Sequence, residues 1–319
     1  MPCAVPYLLV YSLYTTMMTR AWVFSLSFPT LTRVEFIESL MMATSSVMAP
    51  QSKADELTSC QNGALVPEMA VPGAYNQVCM NLPERVLDVN GKTIRIQQEA
   101  SGSGKTGLAV WNSGLLLTRL LEELAKTKKF SENFNTVLEL GCGTALVSIA
   151  AETLGATQVI ATDGNPDVVR LAQRNIQLNR QPEKDQEAAK AVALQWGLLD
   201  AMDYSDTADL VVGSDLTYNS GTWRVLCETM VTVVKPDGYI LYLSLGHEGF
   251  NVNAELDGFL SVAKEVGLVE VKELNGVSIS NLLPKIVSPV EAKQLAQSGG
   301  ARAVVLRRKQ FRNKSNFAT

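Results

Sequence analysis

The stretch Thr136-Val-Leu-Glu-Leu-Gly-Cys-Gly-Thr-Ala-Leu146, followed by Val159-Ile-Ala-Thr-Asp163, decides the fold. A short apolar run carries Glu139 and stops at Gly141 and Gly143; small residues then open a helix, and a second apolar run stops at Asp163. Apolar runs without strict alternation are strands buried on both faces, and a helical crossover between them makes the pair parallel and right-handed. The two glycines let the backbone approach a ligand closely. Asp163, about 20 residues beyond the turn, can accept hydrogen bonds from a ribose. This pattern predicts a nucleoside-binding crevice at the carboxyl ends of parallel strands.

A dinucleotide fingerprint reads G-x-G-x-x-G, and its third glycine is here Leu146. Glu139 sits two residues before Gly141. A carboxylate there works against a pyrophosphate and favours a cationic amino group. S-adenosylmethionine carries an ammonium, a sulfonium and no phosphate, so it suits an E-x-G-x-G turn better. The plain alternative, a strand–turn–helix that binds nothing, leaves the spacing of Asp163 unexplained. A second glycine-rich run, Ser101-Gly-Ser-Gly-Lys-Thr106, imitates a P-loop, but the first glycine of that motif would fall on Glu99. The strand before it, Thr93–Gln98, alternates as a half-exposed strand does, so this run reads as a Gly/Ser loop in which Lys105 has no phosphate to bind.

Outward from this centre the chain alternates strands and helices. Strands are expected at Val137–Leu140, Gln158–Thr162, Ala191–Gln195, Leu210–Gly213, Tyr239–Leu245, Leu268–Glu273 and Ala301–Arg307, and helices at Ala145–Leu154, Pro166–Leu178, Trp223–Val234 and Ala254–Val266. Lys235-Pro-Asp-Gly238 reads as a turn feeding the fifth strand. Upstream, Arg85–Val89 and Thr93–Gln98 flank Asn90-Gly91, the strongest short hairpin signal. The fold class that results is α/β: a Rossmann-like, seven-stranded, mostly parallel sheet with helices on both faces, plus an N-terminal β-hairpin.

Of the 319 residues 46% are hydrophobic, ample for a core, and the formal net charge of −4 argues against nonspecific nucleic-acid binding. The five cysteines, Cys3, Cys60, Cys79, Cys142 and Cys227, are scattered and odd in number. That argues against a disulfide framework or a zinc site and for a reducing compartment, the cytoplasm, with nucleus or organelle left open. No metal site is expected. His247 is read as a surface loop residue. Residues 1–50 form a non-core segment: Met1 to Thr19 bear no side-chain charge, the basic start of a signal peptide is missing, and Arg20 breaks the apolar run before a membrane-spanning length. A disordered arm, a targeting segment and a mis-assigned start ahead of Met41, Met42 or Met48 all fit. Residues 51–83 read as linker or arm, 84–308 as the folded domain, and 309–319 as a basic tail. No stable membrane insertion is expected, and a monomer is.

Three further motifs narrow the reading: Ala109-Val-Trp-Asn-Ser-Gly114, Leu194-Gln-Trp-Gly197 after the third strand, and Asp209-Leu-Val-Val-Gly-Ser-Asp-Leu-Thr-Tyr218, a strand ending in D-x-x-Y. With the glycine turn, this set resembles the class I, seven-strand, S-adenosylmethionine-dependent methyltransferases, and within them the family 16 protein-lysine methyltransferases, the methyltransferase-like 21 group. The resemblance covers about Val86 to Arg308. It implies a protein substrate bearing a lysine, with S-adenosylmethionine as cofactor and in-line methyl transfer. Asp215 and Tyr218 are implied as catalytic, Asp215 accepting hydrogen bonds from the amine and Tyr218 walling its channel. Trp111, Glu139, Gly141, Cys142, Gly143, Asp163, Trp196 and Ser214 are implied as cofactor-binding. Asp163 would hold the ribose, Trp196 would lie near the adenine, Cys142 would lend its backbone N–H, and Ser214 would line the site through its backbone. Asn112 stands where the family carries Asp, and Leu216-Thr217 inside D-x-x-Y would tune substrate choice. Methylation of another side chain, a small molecule or a nucleic acid remains an alternative, as does S-adenosylmethionine binding without catalysis. The plain reading of the last motif is that Asp215 caps the next helix and Tyr218 packs.

Overall fold

The computed structural model describes residues 63, 65, 78–99, 106–126, 130–180, 188–246, 252–271, 286–297 and 300–309. The readings made for residues 1–50, Lys105, His247 and the tail beyond 309 lie outside the described residues.

The hairpin forms where Asn90-Gly91 places it. Strands β1 (Glu84–Val89) and β2 (Lys92–Gln97) pair antiparallel, and Asn90 and Gly91 both take positive φ, 52° and 75°, as a two-residue hairpin turn requires. Strand β3 (Thr136–Leu140) is buried along its whole length; β4 (Gln158–Asp163), β5 (Ala189–Ala193), β6 (Ala208–Ser214) and β7 (Val234–Leu245) follow, then β8 (Leu268–Glu270) and β9 (Ala301–Arg308). They form a seven-stranded sheet in the order β5-β4-β3-β6-β7-β9-β8. Only β9 runs against its neighbours. The expected α/β architecture is therefore the observed one.

The helices are α1 (Asn112–Lys126), α2 (Leu146–Thr153), α3 (Pro166–Leu178), α4 (Trp223–Val233), α5 (Val252–Glu265) and α6 (Pro289–Gln297), with single turns at Phe130–Asn133 and Leu198–Ala201. One core cluster joins Leu138, Leu140, Ile160, Val211 and Tyr242 of the sheet to Leu226 and Met230 of α4 and to Leu256 and Phe259 of α5. The alternate strand positions Val137, Val159, Leu210 and Val212 are buried as well. Both faces of the central strands are thus covered, which is why these strands lack polar alternation. At the start of α3, Asn165 accepts from the Asp167 amide at 2.9 Å with Pro166 in the first turn, the arrangement the Asn-Pro pair predicts.

Two boundaries are corrected and one helix is added. β5 occupies Ala189–Ala193, two residues earlier than expected, because the Gln195 N–H is taken by Asp200 Oδ2 at 2.8 Å instead of a ladder partner. Lys235-Pro-Asp-Gly238 is not a turn before the strand but a bulge inside it: β7 already pairs at Val234 with Ala208, and the register jumps to Tyr239 opposite Leu210. Pro236 has no N–H to donate, so the bulge excuses it from the ladder. A Cβ on Gly238 would meet Ala208 O at 2.8 Å. Thirdly, α6 went unforeseen although Ser288-Pro-Val-Glu291 is a capping box: the Ser288 hydroxyl accepts from the Glu291 amide at 3.3 Å, and Glu291 Oε2 accepts from the Ser288 amide at 2.6 Å. Leu268 begins β8 as expected, whereas residues 272 and 273 lie outside the described residues. Among the cysteines, Cys142 and Cys227 are free thiols, but Cys79 is disulfide-bonded, which departs from the expectation at that position.

The hairpin is docked by two side-chain amides, Asn175 in α3 and Asn179 at its C-cap. Asn175 exchanges two hydrogen bonds with the backbone of Gln97, at 2.9 and 3.0 Å, and Asn179 exchanges two with the backbone of Arg95, at 2.9 and 2.8 Å. Positions four apart on a helix are separated by about 6 Å and alternate strand residues by about 6.6 Å, so the two spacings match. Asn175 also donates to Thr144 O at 3.0 Å, which ties the hairpin to the turn after β3.

Candidate functional site

Strand order places the site. From β3 the chain winds outward through β4 to β5, then returns to lay β6 on the other side of β3. The carboxyl ends of β3 and β6 therefore diverge at a topological switch point, where doubly wound sheets open a crevice.

The turn after β3 takes three left-handed conformations: Gly141 at φ 64°, Gly143 at 51° and Ala145 at 62°. A Cβ on Gly141 would stand 2.4 Å from Leu216 Cδ2, and one on Gly143 would stand 3.3 Å from Gly107 O. The first glycine is therefore required by the segment leaving β6, and the second by the turn that leads to Trp111. Asp163, at the end of β4, accepts from the Gly143 amide through Oδ2 at 3.3 Å and from the Asn165 amide through Oδ1 at 2.9 Å. Gln195 Nε2 donates to Gly164 O at 2.6 Å, which holds the Trp196 segment beside Asp163.

Glu139 is buried and accepts through Oε2 from both the amide and the hydroxyl of Ser148, at 2.9 and 2.5 Å. Ser148 is the third residue of α2, and the helix's own N-cap, Ala145, offers no side-chain acceptor. Glu139 thus serves as a cap supplied from the neighbouring strand. Burial pushes its carboxyl up to about 8, Ser148 pulls it down, and the charge of Asp163 adds to the rise. Asp163 is also raised, chiefly by burial, against three backbone N–H groups that lower it.

Asp215 leaves β6 with φ 53°. Its amide donates to Leu243 O at 2.9 Å, and its Oδ1 accepts from the Leu245 amide at 2.8 Å. It does not cap the next helix, whose N-cap is Thr222, and Tyr218 does not pack: it is 63% exposed at the rim. Ser214 ends β6, half-buried, immediately before Asp215.

Nine of the ten sequence-derived site residues lie at or just beyond the carboxyl ends of β3, β4, β5 and β6, and Trp111 lies just before α1, on the segment whose Gly107 meets Gly143, but not all act in the expected manner. The Cys142 N–H is given to Thr162 O at 2.8 Å, so it has no free donor to lend, and its buried thiol is raised well above the usual range by burial and by Glu139 and Asp163. The Trp111 indole N–H donates to Thr106 O at 2.5 Å, and Trp196 packs against the core cluster. Leu216 and Thr217 are buried, 6% and 1% exposed, and so face the core, not a substrate. Residues that sequence reasoning passed over stand behind them: Tyr242 of β7, Glu255 of α5 and Trp223 of α4 all bond to this turn. Tyr242 and Glu255 lie far along the chain in an ordinary apolar and an ordinary helical setting, and no local signal marks them, whereas Trp223 stands only six residues beyond Thr217.

The donor set fits S-adenosylmethionine. Asp163 accepts from three backbone N–H groups, those of Gly143, Gly164 and Asn165, and its two oxygens together retain a lone pair for a ribose hydroxyl. The charge of Asp163 adds to the rise of the buried Glu139 carboxyl, so a cationic ligand relieves the site and a pyrophosphate would burden it further. Among the described residues no cluster of three or more His, Cys, Asp or Glu could hold a metal ion, and no helix is long and apolar enough to cross a membrane.

Comparison with known proteins agrees with this geometry. The chain is 31% identical over 174 residues to the protein N-terminal and lysine N-methyltransferase EFM7 of Candida glabrata, covering 52% of this chain and 65% of the relative. It is 33% identical over 144 residues to the protein-lysine N-methyltransferase EFM3 of Chaetomium thermophilum, covering 42% and 40%. It is 29% identical over 154 residues to EEF1A lysine methyltransferase 3 of Xenopus tropicalis, covering 48% and 64%. The chain thus spans less than two thirds of the length of each of these relatives. A family model described as lysine methyltransferase matches residues 88–248, half of the chain and the whole of the glycine turn, Asp163 and D-x-x-Y. The chain belongs to the lysine methyltransferase family.

Proposed function

We propose that this protein is an S-adenosylmethionine-dependent methyltransferase acting on a lysine side chain of a protein substrate. The observation that carries the reading is the pair of aspartates on either side of β3 at the switch point, Asp163 at the end of β4 and Asp215 just after β6, with Glu139 of β3 buried behind the glycine turn. A crevice so lined favours a cationic cofactor and an amine arriving opposite it. Family membership supports the same chemistry.

When bound, S-adenosylmethionine supplies an electrophilic methyl group for a neutral amine nitrogen placed in line with the departing sulfur. Asp163 would take the ribose hydroxyls and, through the Gly143 amide, fix the glycine turn against them. Asp215, its backbone locked to β7, offers its carboxylate to the N–H bonds of the amine and so points the lone pair. Tyr218, at the rim, covers the aliphatic stem of the lysine and excludes water. Burial in such a channel favours the neutral amine over the ammonium.

A second reading has a specific observation behind it. The Candida glabrata relative is named for action on protein N-termini as well as on lysine, and an α-amine presents the same nitrogen chemistry to Asp215. We place the reaction in the cytoplasm and on a monomer comprising residues 84–308, without nucleic acid as substrate. The free thiols of Cys142 and Cys227 and the acidic net charge support this setting; the disulfide at Cys79 is the feature that departs from it.

The test is transfer of labelled methyl from S-adenosylmethionine into a cell extract by wild type and Asp215→Ala, with protease- and nuclease-treated samples beside them. A protein band lost in the variant that releases methyl-lysine on hydrolysis supports the reading. Methylated amino termini support the second. Label in nucleic acid, or wild type that binds S-adenosylhomocysteine yet labels nothing, overturns both.

A further inference from the structure

Asp215 takes a left-handed φ of 53°, a region that costs a non-glycine residue energy unless its surroundings enforce it. What enforces it lies behind the turn. The Leu216 amide donates to Tyr242 Oη at 2.8 Å, and Tyr242 Oη is 2.9 Å from Thr217 Oγ1. Thr217 Oγ1 in turn bonds Glu255 Oε1, and the Trp223 indole N–H donates to Thr217 O at 2.8 Å. The acceptor at the far end sets the direction of the whole chain. A carboxylate can only accept, so the Thr217 hydroxyl donates to Glu255. The Tyr242 hydroxyl then donates to Thr217, and the lone pair of Tyr242 is left for the Leu216 N–H. Tyr242 is fully buried, with its ring 5.3 Å from that of Phe259. Its hydroxyl is therefore a fixed point in the core, and burial pushes its ionisation above the usual range, so it stays a neutral donor.

We propose that Tyr242, acting with Thr217 and Glu255, is the positioning post of the reaction: it holds Leu216-Thr217 in the core and thereby sets the carboxylate of Asp215 and the ring of Tyr218 on either side of that buried pair. None of the three need touch substrate. The same strand closes the loop on the other side, since β7 also supplies Leu243 O to the Asp215 amide and the Leu245 amide to the Asp215 carboxylate. Leu216, held by the same post, fills the space that Gly141 leaves open, so the post also governs how closely the β6 turn approaches the glycine turn. The role is stated for the methyl transfer proposed above and rests on that reading for its effect on rate.

The experiment compares Tyr242→Phe, Thr217→Val and Thr217→Ser in the full chain. Hydrogen exchange of the Leu245 amide reads the Asp215 carboxylate directly and needs no turnover. In Tyr242→Phe and Thr217→Val the protection of Leu216 and Leu245 should fall together, and Trp223 fluorescence should shift. Thr217→Ser, which keeps the hydroxyl, should stay near wild type. S-adenosylhomocysteine affinity should change by less than about threefold, while kcat for labelled methyl transfer falls by about ten- to a hundredfold with KM little changed. The double variant should cost no more than the worse single one, because both interrupt one chain of bonds. Wild-type protection at Leu245 in a folded Tyr242→Phe overturns the proposal, as does a Thr217→Ser variant as impaired as Thr217→Val. If wild type binds S-adenosylhomocysteine but transfers no methyl, the functional reading fails, and the exchange and fluorescence measurements still decide the role of the post.

Discussion

Replacing Glu139 by Gln keeps the side chain's shape and its acceptor oxygen for Ser148 while removing its ability to ionise. In the folded protein burial holds this carboxyl neutral up to about 8, against an ordinary 4.5. In the unfolded chain it ionises at the ordinary value. Between the two, the native state binds the extra proton, so stability must fall as pH rises from about 4.5 toward about 8 and level off above that. At about 1.4 kcal/mol per pH unit, the full span sets a ceiling of about 5 kcal/mol. Glu139→Gln has no such group, and its stability relative to wild type should rise across this window, by at least about 2 kcal/mol. Urea unfolding of ligand-free wild type and variant at pH about 5, about 7 and about 8.5 measures it, since other titrating groups are common to both proteins and cancel in the difference. Parallel stability–pH curves would refute the reasoning and show that Glu139 is ionised in the native protein.

Three other outcomes are expected. Gly141→Ala puts a methyl group into Leu216 Cδ2 at a left-handed φ; it should cost roughly 2–4 kcal/mol in thermal or urea unfolding and weaken S-adenosylhomocysteine binding in parallel. Asp163→Asn keeps one acceptor oxygen where two are in use; calorimetry should show S-adenosylhomocysteine binding about 2 kcal/mol weaker in a protein that still folds. Tyr218 is 63% exposed, so Tyr218→Ala should leave stability within about 0.5 kcal/mol of wild type while methyl transfer falls, and Tyr218→Phe should fall less.

The parts of this molecule that were legible in its sequence are those dictated by neighbours in the chain. Asn90-Gly91 fixed a hairpin because only certain residues tolerate two consecutive positive φ angles, and Asn165-Pro166 fixed a helix start for equally local reasons. The glycine turn and Asp163 identified the crevice because their spacing reflects one strand–helix–strand unit. What stayed hidden depends on residues distant in sequence. Pro236 looks like a turn residue until the pairing of Val234 with Ala208 shows it to lie inside β7, in a bulge. Cys142 looks like a donor until Thr162 is seen to occupy its N–H. Leu216-Thr217 looks like a variable insert in a catalytic motif, and only Tyr242 and Glu255, from β7 and α5, reveal that it is an anchor. Ser288-Pro-Val-Glu291 is the exception: its capping box was readable, and the helix could have been foreseen.

The hairpin's seat on α3 bears on how the molecule keeps to itself. A two-stranded ribbon standing apart from the main sheet leaves the outer rim of β2 with backbone groups seeking a partner, an invitation for a second chain to add a strand. Asn175 and Asn179 answer at Arg95 and Gln97 in the manner of a neighbouring strand, each offering one donor and one acceptor. The helix thus impersonates the missing strand, and the rim is sealed from within the same chain. Loss of either amide would reopen a sticky edge, so such variants should reveal themselves by association at high concentration before any change in chemistry is noticed.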